Sequence, residues 1–288
     1  MGFVGTETKK LVNEVDEFVG YDIMQGRDIR DLEQLRSTVD KTRPDRILHL
    51  AAIARFADAD ADPNLAHSTN VLGTMNVAQV ASQFHIPVVY ASTGSVYMPI
   101  REKPPITESF KACGNSVYGC TKYIGETYIR SAEAPWIILR YAHLYGREKR
   151  MHGLVGGFLE RIERGLAPTL YGGAQSNDFT YIKDVARANH AALYASWDRW
   201  NQVYNVGTGE ELSAQDAGAA ICKVFSYDGE IEIKEQRSVD PDRFFYDCSK
   251  AEQMLGFKAQ FNFEAGLEDM HAAGARLHDL APRIKRFA

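Results

Sequence analysis

Tyr118 and Lys122, in the run Ser-Val-Tyr-Gly-Cys-Thr-Lys, carry the strongest chemical signal in this sequence. A tyrosine four residues before a lysine puts both side chains on one face of a helix. The ammonium can then stabilise a phenolate and make the tyrosine an acid/base near neutral pH. Free tyrosine titrates near pH 10, so reaching about pH 7 takes about 4 kcal/mol of differential stabilisation. A lone lysine at a half-wet site rarely supplies that much, so a second positive charge is expected beside it.

The spacing occurs three times, at Tyr118/Lys122, Tyr145/Lys149 and Tyr246/Lys250, where chance gives about 0.6. Context separates them. Tyr145 precedes a glycine and the charged run Arg-Glu-Lys-Arg, which reads as a loop. Tyr246 precedes Cys-Ser-Lys, where Ser249 reads as a helix N-cap. Tyr118 alone opens a proline-free helical stretch, to Ala132. It alone follows an apolar strand ending in hydroxyls, Val88-Val89-Tyr90-Ala91-Ser92-Thr93. Cys120, between the two chemical residues in sequence, points off their face and reads as a packing residue.

The elements that must position this pair alternate. Phe18 to Ile23, Arg46 to Ala51, Val88 to Thr93 and Trp136 to Tyr141 read as strands. Thr6 to Val15, Asp31 to Val39, Asn64 to Phe84 and Tyr118 to Ala132 read as helices. Alternation of this kind predicts a doubly wound parallel sheet with helices on both faces. Ligands then sit beyond the carboxyl ends of the strands, which gathers Asp22, Ala51-Ala52, Ser92-Thr93 and Tyr141 to His143. After Tyr145 the pattern loosens, with turns at Gly156-Gly157 and Gly172-Gly173, a strand near Thr169 to Tyr171 and a helix from Lys183 to Ala195. This is expected to be a smaller lobe. The division is therefore residues 1–145 for a cofactor domain, with returning segments at about 178–206, and 146–177 with 207–288 for the lobe.

The composition, 45% apolar and 25% charged, fits a globular protein. A net charge of −5 argues against nucleic acid as partner. No apolar run reaches the roughly 18 residues of a membrane helix, and the first residues lack the order of a signal peptide. Four cysteines without a Cys-x-x-Cys pair argue against a metal site or disulfide framework. The expectation is a cytoplasmic enzyme with no membrane partner.

The N-terminus departs from this scheme. Gly2-Phe3-Val4-Gly5 lies where a Gly-rich turn should enter the first helix, 17 residues before Asp22. No residues remain ahead of it for a first strand. Such a strand belongs in the middle of the sheet, so the chain as written is expected to bind its cofactor poorly and to be marginally stable. Upstream residues supplying that strand would correct both. An acidic side chain at Asp22 would accept hydrogen bonds from an adenosine ribose and repel a 2′-phosphate, favouring NAD over NADP.

In order and spacing these residues resemble the extended short-chain dehydrogenase/reductase family, in its NAD-dependent epimerase/dehydratase branch. Gly2-Phe3-Val4-Gly5 resembles the end of that family's Gly-rich turn. Val19-Gly20-Tyr21-Asp22 resembles its ribose strand, and Gly26-Arg27-Asp28-Ile29 its adenine segment. His49-Leu50-Ala51-Ala52, Asn70-Val71-Leu72-Gly73-Thr74 and Leu139-Arg140-Tyr141 are similar to further cofactor-side motifs. Ser92-Thr93-Gly94-Ser95-Val96-Tyr97 is similar to the family's hydroxyl strand, and Asp178 to Val185, Tyr204 to Gly207 and Ser249 to Phe257 to later segments.

The resemblance implies NAD as cofactor and a nucleotide sugar as substrate. Thr93 would bind the reacting hydroxyl, Tyr118 would move its proton, and Lys122 would hold the nicotinamide ribose and lower the Tyr118 pKa. It implies cofactor contacts from Gly2, Phe3, Val4, Gly5, Asp22, Asp28, Ile29, Leu50, Ala51, Ala52, Asn70 and Tyr141 as well. Substrate contacts would come from Thr93, Ser95, His143, Asn177, Arg237 and Asp240, and the active form would be a homodimer. Several positions depart from the pattern, among them the later Arg-Pro-Gly-Asp motif, which reads Arg237-Ser238-Val239-Asp240 here and keeps one of two phosphate-gripping arginines. His143 stands where the relatives of the UDP-glucose 4-epimerase type carry Asn, and Asn177 where an Arg grips the diphosphate. Gly94-Ser95 follow Thr93 where dehydratases carry a carboxylate to expel water. The expected activity is a sugar-nucleotide 4-epimerase acting by transient oxidation of a carbinol. The alternatives are a reductase or dehydrogenase that releases its cofactor, and a catalytically silent NAD-binding protein.

Overall fold

The computed structural model describes residues 2–12, 16–100, 102–146, 153–236 and 241–274. At its centre four parallel strands run in the order Ile47–His49, Val88–Thr93, Trp136–Tyr141, Gln202–Val206. Ile47 lies opposite Val88, Val88 opposite Trp136, and Ile137 opposite Gln202, so His49, Thr93, Tyr141 and Val206 end on one edge. These runs are continuously apolar because both faces of the sheet are covered. Val89, Ala91, Ile137 and Leu139 point into one core, shared with Val185, Ala188 and Ala251. Val88, Tyr90 and Ile138 point into the other, shared with Leu35, Val39, Val77, Val80 and Ile129. The fold is a Rossmann-like parallel α/β sheet with a further α/β lobe.

The lobe has its own core, in which Val155, Phe158, Leu159, Ile221, Leu267 and Met270 meet Tyr145, Phe179 and Tyr181. Its short strands include Ser176–Asn177, which pairs with Arg243–Phe244 and Leu212–Ser213, and Phe179–Tyr181, which pairs with His143–Tyr145. Among the described residues no helix is long and apolar enough to cross a membrane. None of their His, Cys, Asp and Glu side chains cluster in the threes a metal site needs.

Several expectations need correction. Phe18 to Ile23 forms no strand. Alternation can propose a strand, but only a ladder partner makes one. In the doubly wound order that partner would lie between this segment and Ile47–His49, and the described residues supply none there. Instead Phe18 packs on the sheet core, and the Tyr21 hydroxyl donates to the Gln34 side chain at 2.9 Å. Asp22 caps a short 3-10 turn, Ile23–Gln25, with its carboxylate accepting from Met24 N at 2.9 Å. Gly2 to Gly5 is not a turn. The first helix, Phe3–Val12, already begins there, with Gly5 buried.

Gly156-Gly157 lies inside the helix Gly153–Glu163, because Val155, Phe158 and Leu159 around it anchor the lobe core. Tyr145 lies in a strand and is buried, not in a loop. Ser249 is the first residue of the helix Ser249–Leu255 and not its cap, and its N–H donates to the Asp247 carboxylate at 2.9 Å. The stretch expected as one helix from Asn64 to Phe84 is three segments: Pro63–His67, a π-helical turn Ser68–Gly73, and Thr74–Phe84.

Candidate active site

The helix Val117–Arg130 starts where the Ser116 hydroxyl accepts from Gly119 N at 3.0 Å, satisfying one of the free N–H groups of the first turn. Four residues at intervals of four then share one face: Tyr118, Lys122, Glu126 and Arg130. Tyr118 is 9% exposed, at the carboxyl edge of the sheet. Burial pushes its pKa up to about 12, while a hydrogen bond with the Thr93 side chain draws it down. Lys122 is 3% exposed and its ammonium lies 4.1 Å from the centre of the Tyr90 ring. Burial brings its pKa down to about 7, against the pull of the Glu126 carboxylate. The apolar edge of the site is Phe56, whose ring meets Tyr118 at 5.3 Å and 71°.

Glu126 is fully buried. Arg140 grips it with two bonds, at 2.8 and 2.7 Å, Ser92 donates at 2.6 Å and Arg130 at 2.8 Å. Burial alone would raise its pKa, but these partners outweigh it and hold the carboxyl below its usual range. Arg140 in turn lies over the Tyr97 ring at 4.6 Å, and the Tyr97 hydroxyl donates to Asn205 at 2.7 Å. Glu126 and Tyr90 were missed in the sequence. The repeat of four from Tyr118 through Arg130 was a signal for the first; for Tyr90, its alternation with Ser92 on the strand was the signal.

The other expected site residues fall into groups. Leu50, Ala51 and Ala52 follow the strand end at His49, partly exposed. The Asn70 amide accepts from Ile53 N at 2.7 Å and donates to Ile53 O at 3.0 Å and Thr121 Oγ1 at 3.0 Å. It therefore ties the loop after Ala52 to the Tyr118 helix. The Tyr141 hydroxyl donates to Asn189 at 2.5 Å, and Asn189 donates to Thr8 at 3.1 Å, so this phenol joins the sheet to the first helix. Phe3 and Val4 pack against the lobe core, and Gly2 precedes them with open space where a Cβ would be. Asp28 is paired with Arg30, and Ile29 is buried beneath Gly73, where a Cβ would meet its Cδ1 at 2.5 Å.

On the lobe side, Ser95 N donates to Thr93 Oγ1 at 3.2 Å. His143 N donates to Asp178 O at 3.0 Å, and the His143 ring stands edge-on to Phe244 at 5.3 Å. Asn177 lies opposite Phe244 and Leu212 in the ladder. Phe244 and Tyr246 crowd Gly94, which brings the lobe against the strand end at Thr93. Arg237 and Asp240 lie outside the described residues, as does Lys149. Of the two rival tyrosines, Tyr145 spends its hydroxyl on Phe263 O at 3.0 Å. Tyr246 is buried, and Lys250 is turned to Gln202 Oε1 and Val203 O at 2.8 and 2.9 Å.

These residues fit the reactive end of a nicotinamide dinucleotide. Lys122 is a buried ammonium that makes no salt bridge among the described residues, on the same helix face as a phenol bonded to a threonine. A ribose diol is the kind of acceptor such an ammonium lacks. Tyr118, Lys122 and the strand-end residues Leu50 to Ala52 would hold that end of the cofactor.

Comparison with known proteins gives one consistent answer. The profile of the NAD dependent epimerase/dehydratase family matches residues 5–207. A Methanocaldococcus jannaschii relative carrying a provisional UDP-glucose 4-epimerase designation is 31% identical over 278 residues, 91% of this chain and 85% of the relative. The crystal structure of a Thermotoga maritima UDP-glucose 4-epimerase with UDP-glucose superposes with a TM-score of 0.83 at 26% identity, over 93% of this chain and 94% of that one. A Thermus thermophilus UDP-glucose 4-epimerase in complex with NAD superposes with a TM-score of 0.79 at 26% identity, over 96% and 97%.

Proposed function

The chain belongs to the NAD dependent epimerase/dehydratase family, and on that premise we propose that it is a sugar-nucleotide 4-epimerase. It is an NAD-dependent enzyme of the sugar-nucleotide epimerase type; the position of attack and the transient oxidation are the finer reading. The observation that carries it is Tyr118, close enough to the Thr93 side chain to feel it and one helical turn from Lys122, at the carboxyl edge of the parallel sheet.

When bound, NAD supplies the hydride acceptor and, on return, the donor. Thr93 holds the reacting hydroxyl, and the Tyr118 phenolate removes its proton. The sugar then turns, and Tyr118 returns the proton to the oxygen on the other face. A phenol held near pKa 12 by burial cannot do this unaided. Bringing it to neutrality takes about 7 kcal/mol, which asks for the Lys122 ammonium and the positive charge of an oxidised nicotinamide together. Phe56 lies edge-on against the phenol ring and covers one side of it.

An epimerase is favoured over a dehydratase because Gly94 and Ser95 follow Thr93, and no carboxylate can stand at Gly94: a Cβ there would collide with Phe244 and Tyr246. The homodimer belongs to the same reading. Leu65, Leu72 and Ile124 are 38%, 40% and 38% exposed on helical segments that pack together, which leaves an apolar face for a second copy. The test is to incubate purified protein with UDP-glucose or UDP-galactose and follow the sugar by proton NMR. Interconversion without net NADH supports the reading. Stoichiometric NADH release would replace it with a dehydrogenase, and bound NAD with no turnover of any nucleotide sugar would replace it with a silent binding protein.

A further inference from the structure

We propose that Tyr90 is a positioning residue for Lys122: its ring face seats the ammonium and keeps it cationic inside a buried site. The proposal rests on Lys122 serving as the lysine of the active site. Tyr90 is fully buried on the strand that ends in Thr93, and it meets the Tyr118 helix in three ways. The Lys122 ammonium stands 4.1 Å from the ring centre. The Tyr90 hydroxyl lies 3.4 Å from the Lys122 carbonyl oxygen, so one ring touches the lysine at both its main chain and its charge. Gly125 makes room for the contact, since a Cβ there would collide with the Tyr90 hydroxyl.

The groups that face Lys122 define what the ring must do. From its own helix come Tyr118 and Glu126, and Glu126 favours the charged lysine. From the neighbouring strand comes His49, whose ring lies 5.3 Å from that of Tyr90 and whose Nε2 pairs with Thr74 at 2.9 Å. His49 is buried and stays neutral, its pKa pushed down to about 3, so it adds no second cation. Thr74, from the helix beyond, lies near the Tyr90 hydroxyl and lowers its otherwise raised pKa. The Glu126 carboxylate is already committed to Arg140, Arg130 and Ser92. What lies against the lysine charge is therefore the negative face of an aromatic ring. Such contacts strengthen when the charge is taken out of bulk solvent, and here Tyr90 is fully buried and Lys122 only 3% exposed.

The aromatic face, not the hydroxyl, is the working part. The test compares Tyr90→Phe with Tyr90→Leu, and adds a 3,4,5-trifluorophenylalanine at position 90 that keeps the ring's shape and weakens its negative face. Lys122 is titrated directly by NMR of isotopically labelled lysine, assigned through Lys122→Met, so the readout needs no turnover. Tyr90→Phe should titrate with wild type. The leucine and trifluoro variants should titrate about one pH unit lower, and the alkaline limb of kcat should move down with them. Equal titration in wild type, phenylalanine and trifluoro proteins would overturn the proposal, even if the leucine variant fails to fold. Loss of the functional reading would show separately, as unchanged turnover in Tyr118→Phe.

Discussion

A Cβ on Gly119 would stand 2.8 Å from the carbonyl oxygen of Ser95, so the Tyr118 helix reaches the Thr93 strand end only because residue 119 has no side chain. Backbone does not yield as a flexible side chain can. Gly119→Ala should therefore push Tyr118 away from Thr93. Alanine gains about 1 kcal/mol of helix propensity over glycine, which offsets part of the clash. The expected outcome is a fall in kcat of at least about tenfold with a melting temperature that changes by only a few degrees. Steady-state kinetics beside calorimetry checks it; unchanged kcat would show that the close approach is not needed.

Tyr118→Phe should lower turnover by about 10²–10⁴-fold, the usual worth of a general acid/base, and leave NAD binding largely intact. Tyr145→Phe and Tyr246→Phe should keep near-normal kcat, because both phenols are buried away from Lys122 and bonded to main-chain carbonyls. Parallel kinetics on the three variants decide it. A Tyr118→Phe enzyme of ordinary activity would remove the assignment.

NAD should bind more tightly than NADP, with Asp22 as the source of the preference. Asp22→Arg should narrow or invert it. The same change removes the cap on Met24 N, at about 1 kcal/mol, so stability should fall slightly in step. Fluorescence titration of both cofactors gives the ratio; equal affinities in the wild type would place the selectivity elsewhere.

Gly94→Glu should not create a dehydratase. The new side chain would collide with Phe244 and Tyr246, so the lobe must shift before any carboxylate could act. A melting temperature lowered by several degrees, with both epimerisation and water loss near background, is the expected result. A folded variant that eliminates water from a nucleotide sugar would contradict it.

His49 should make the protein acid-sensitive. Its ordinary pKa of 6.5 is lowered by burial, and secondarily by Lys122, to about 3. The unfolded chain thus binds a proton that the folded chain refuses. Stability from this residue is complete well above pH 6.5 and declines as pH falls through 6.5 toward about 3. The slope is about 1.4 kcal/mol per pH unit. Urea melts of wild type and His49→Gln at pH 6.5 and 4.5 should differ by about 2.3 kcal/mol in their pH dependence, a little less than two full units of slope because the unfolded His is half protonated at pH 6.5. Identical dependence in the two proteins would show that His49 is protonated in the fold.

Much of the sheet was readable because its signals are local. Val88 to Thr93 and Trp136 to Tyr141 are continuous apolar runs, and the structure places both strands over those residues. The Tyr118–Lys122 face was readable for the same reason, since helical spacing is fixed by geometry. Phe18 to Ile23 was not, because pairing depends on a neighbour that no alternation pattern encodes. Nor was the role of Asn70 legible: its amide is spent on Ile53, 17 residues away, and Thr121, 51 away. Alternation with Ser92 put Tyr90 on the face toward the Tyr118 helix, but its place against Lys122 and Gly125 depends on tertiary packing that no local pattern encodes.

The π-helical turn Ser68–Gly73 has a consequence for how this gene can lengthen or shorten. A wide turn holds one residue more than an α-helix needs. Deleting a single residue inside it could be absorbed as ordinary α-helix, with no break in the backbone ladder. The helices on either side would keep nearly the same relative orientation, because a π-turn winds its extra residue through about the same total angle, so the change would fall on the turn itself. Pro63–His67 would keep its form, while Asn70 would swing off Ile53 and Thr121. Such a deletion should yield a folded protein whose loop after Ala52 has come loose from the Tyr118 helix, so an alignment that counts the change as a harmless shortening would misjudge it.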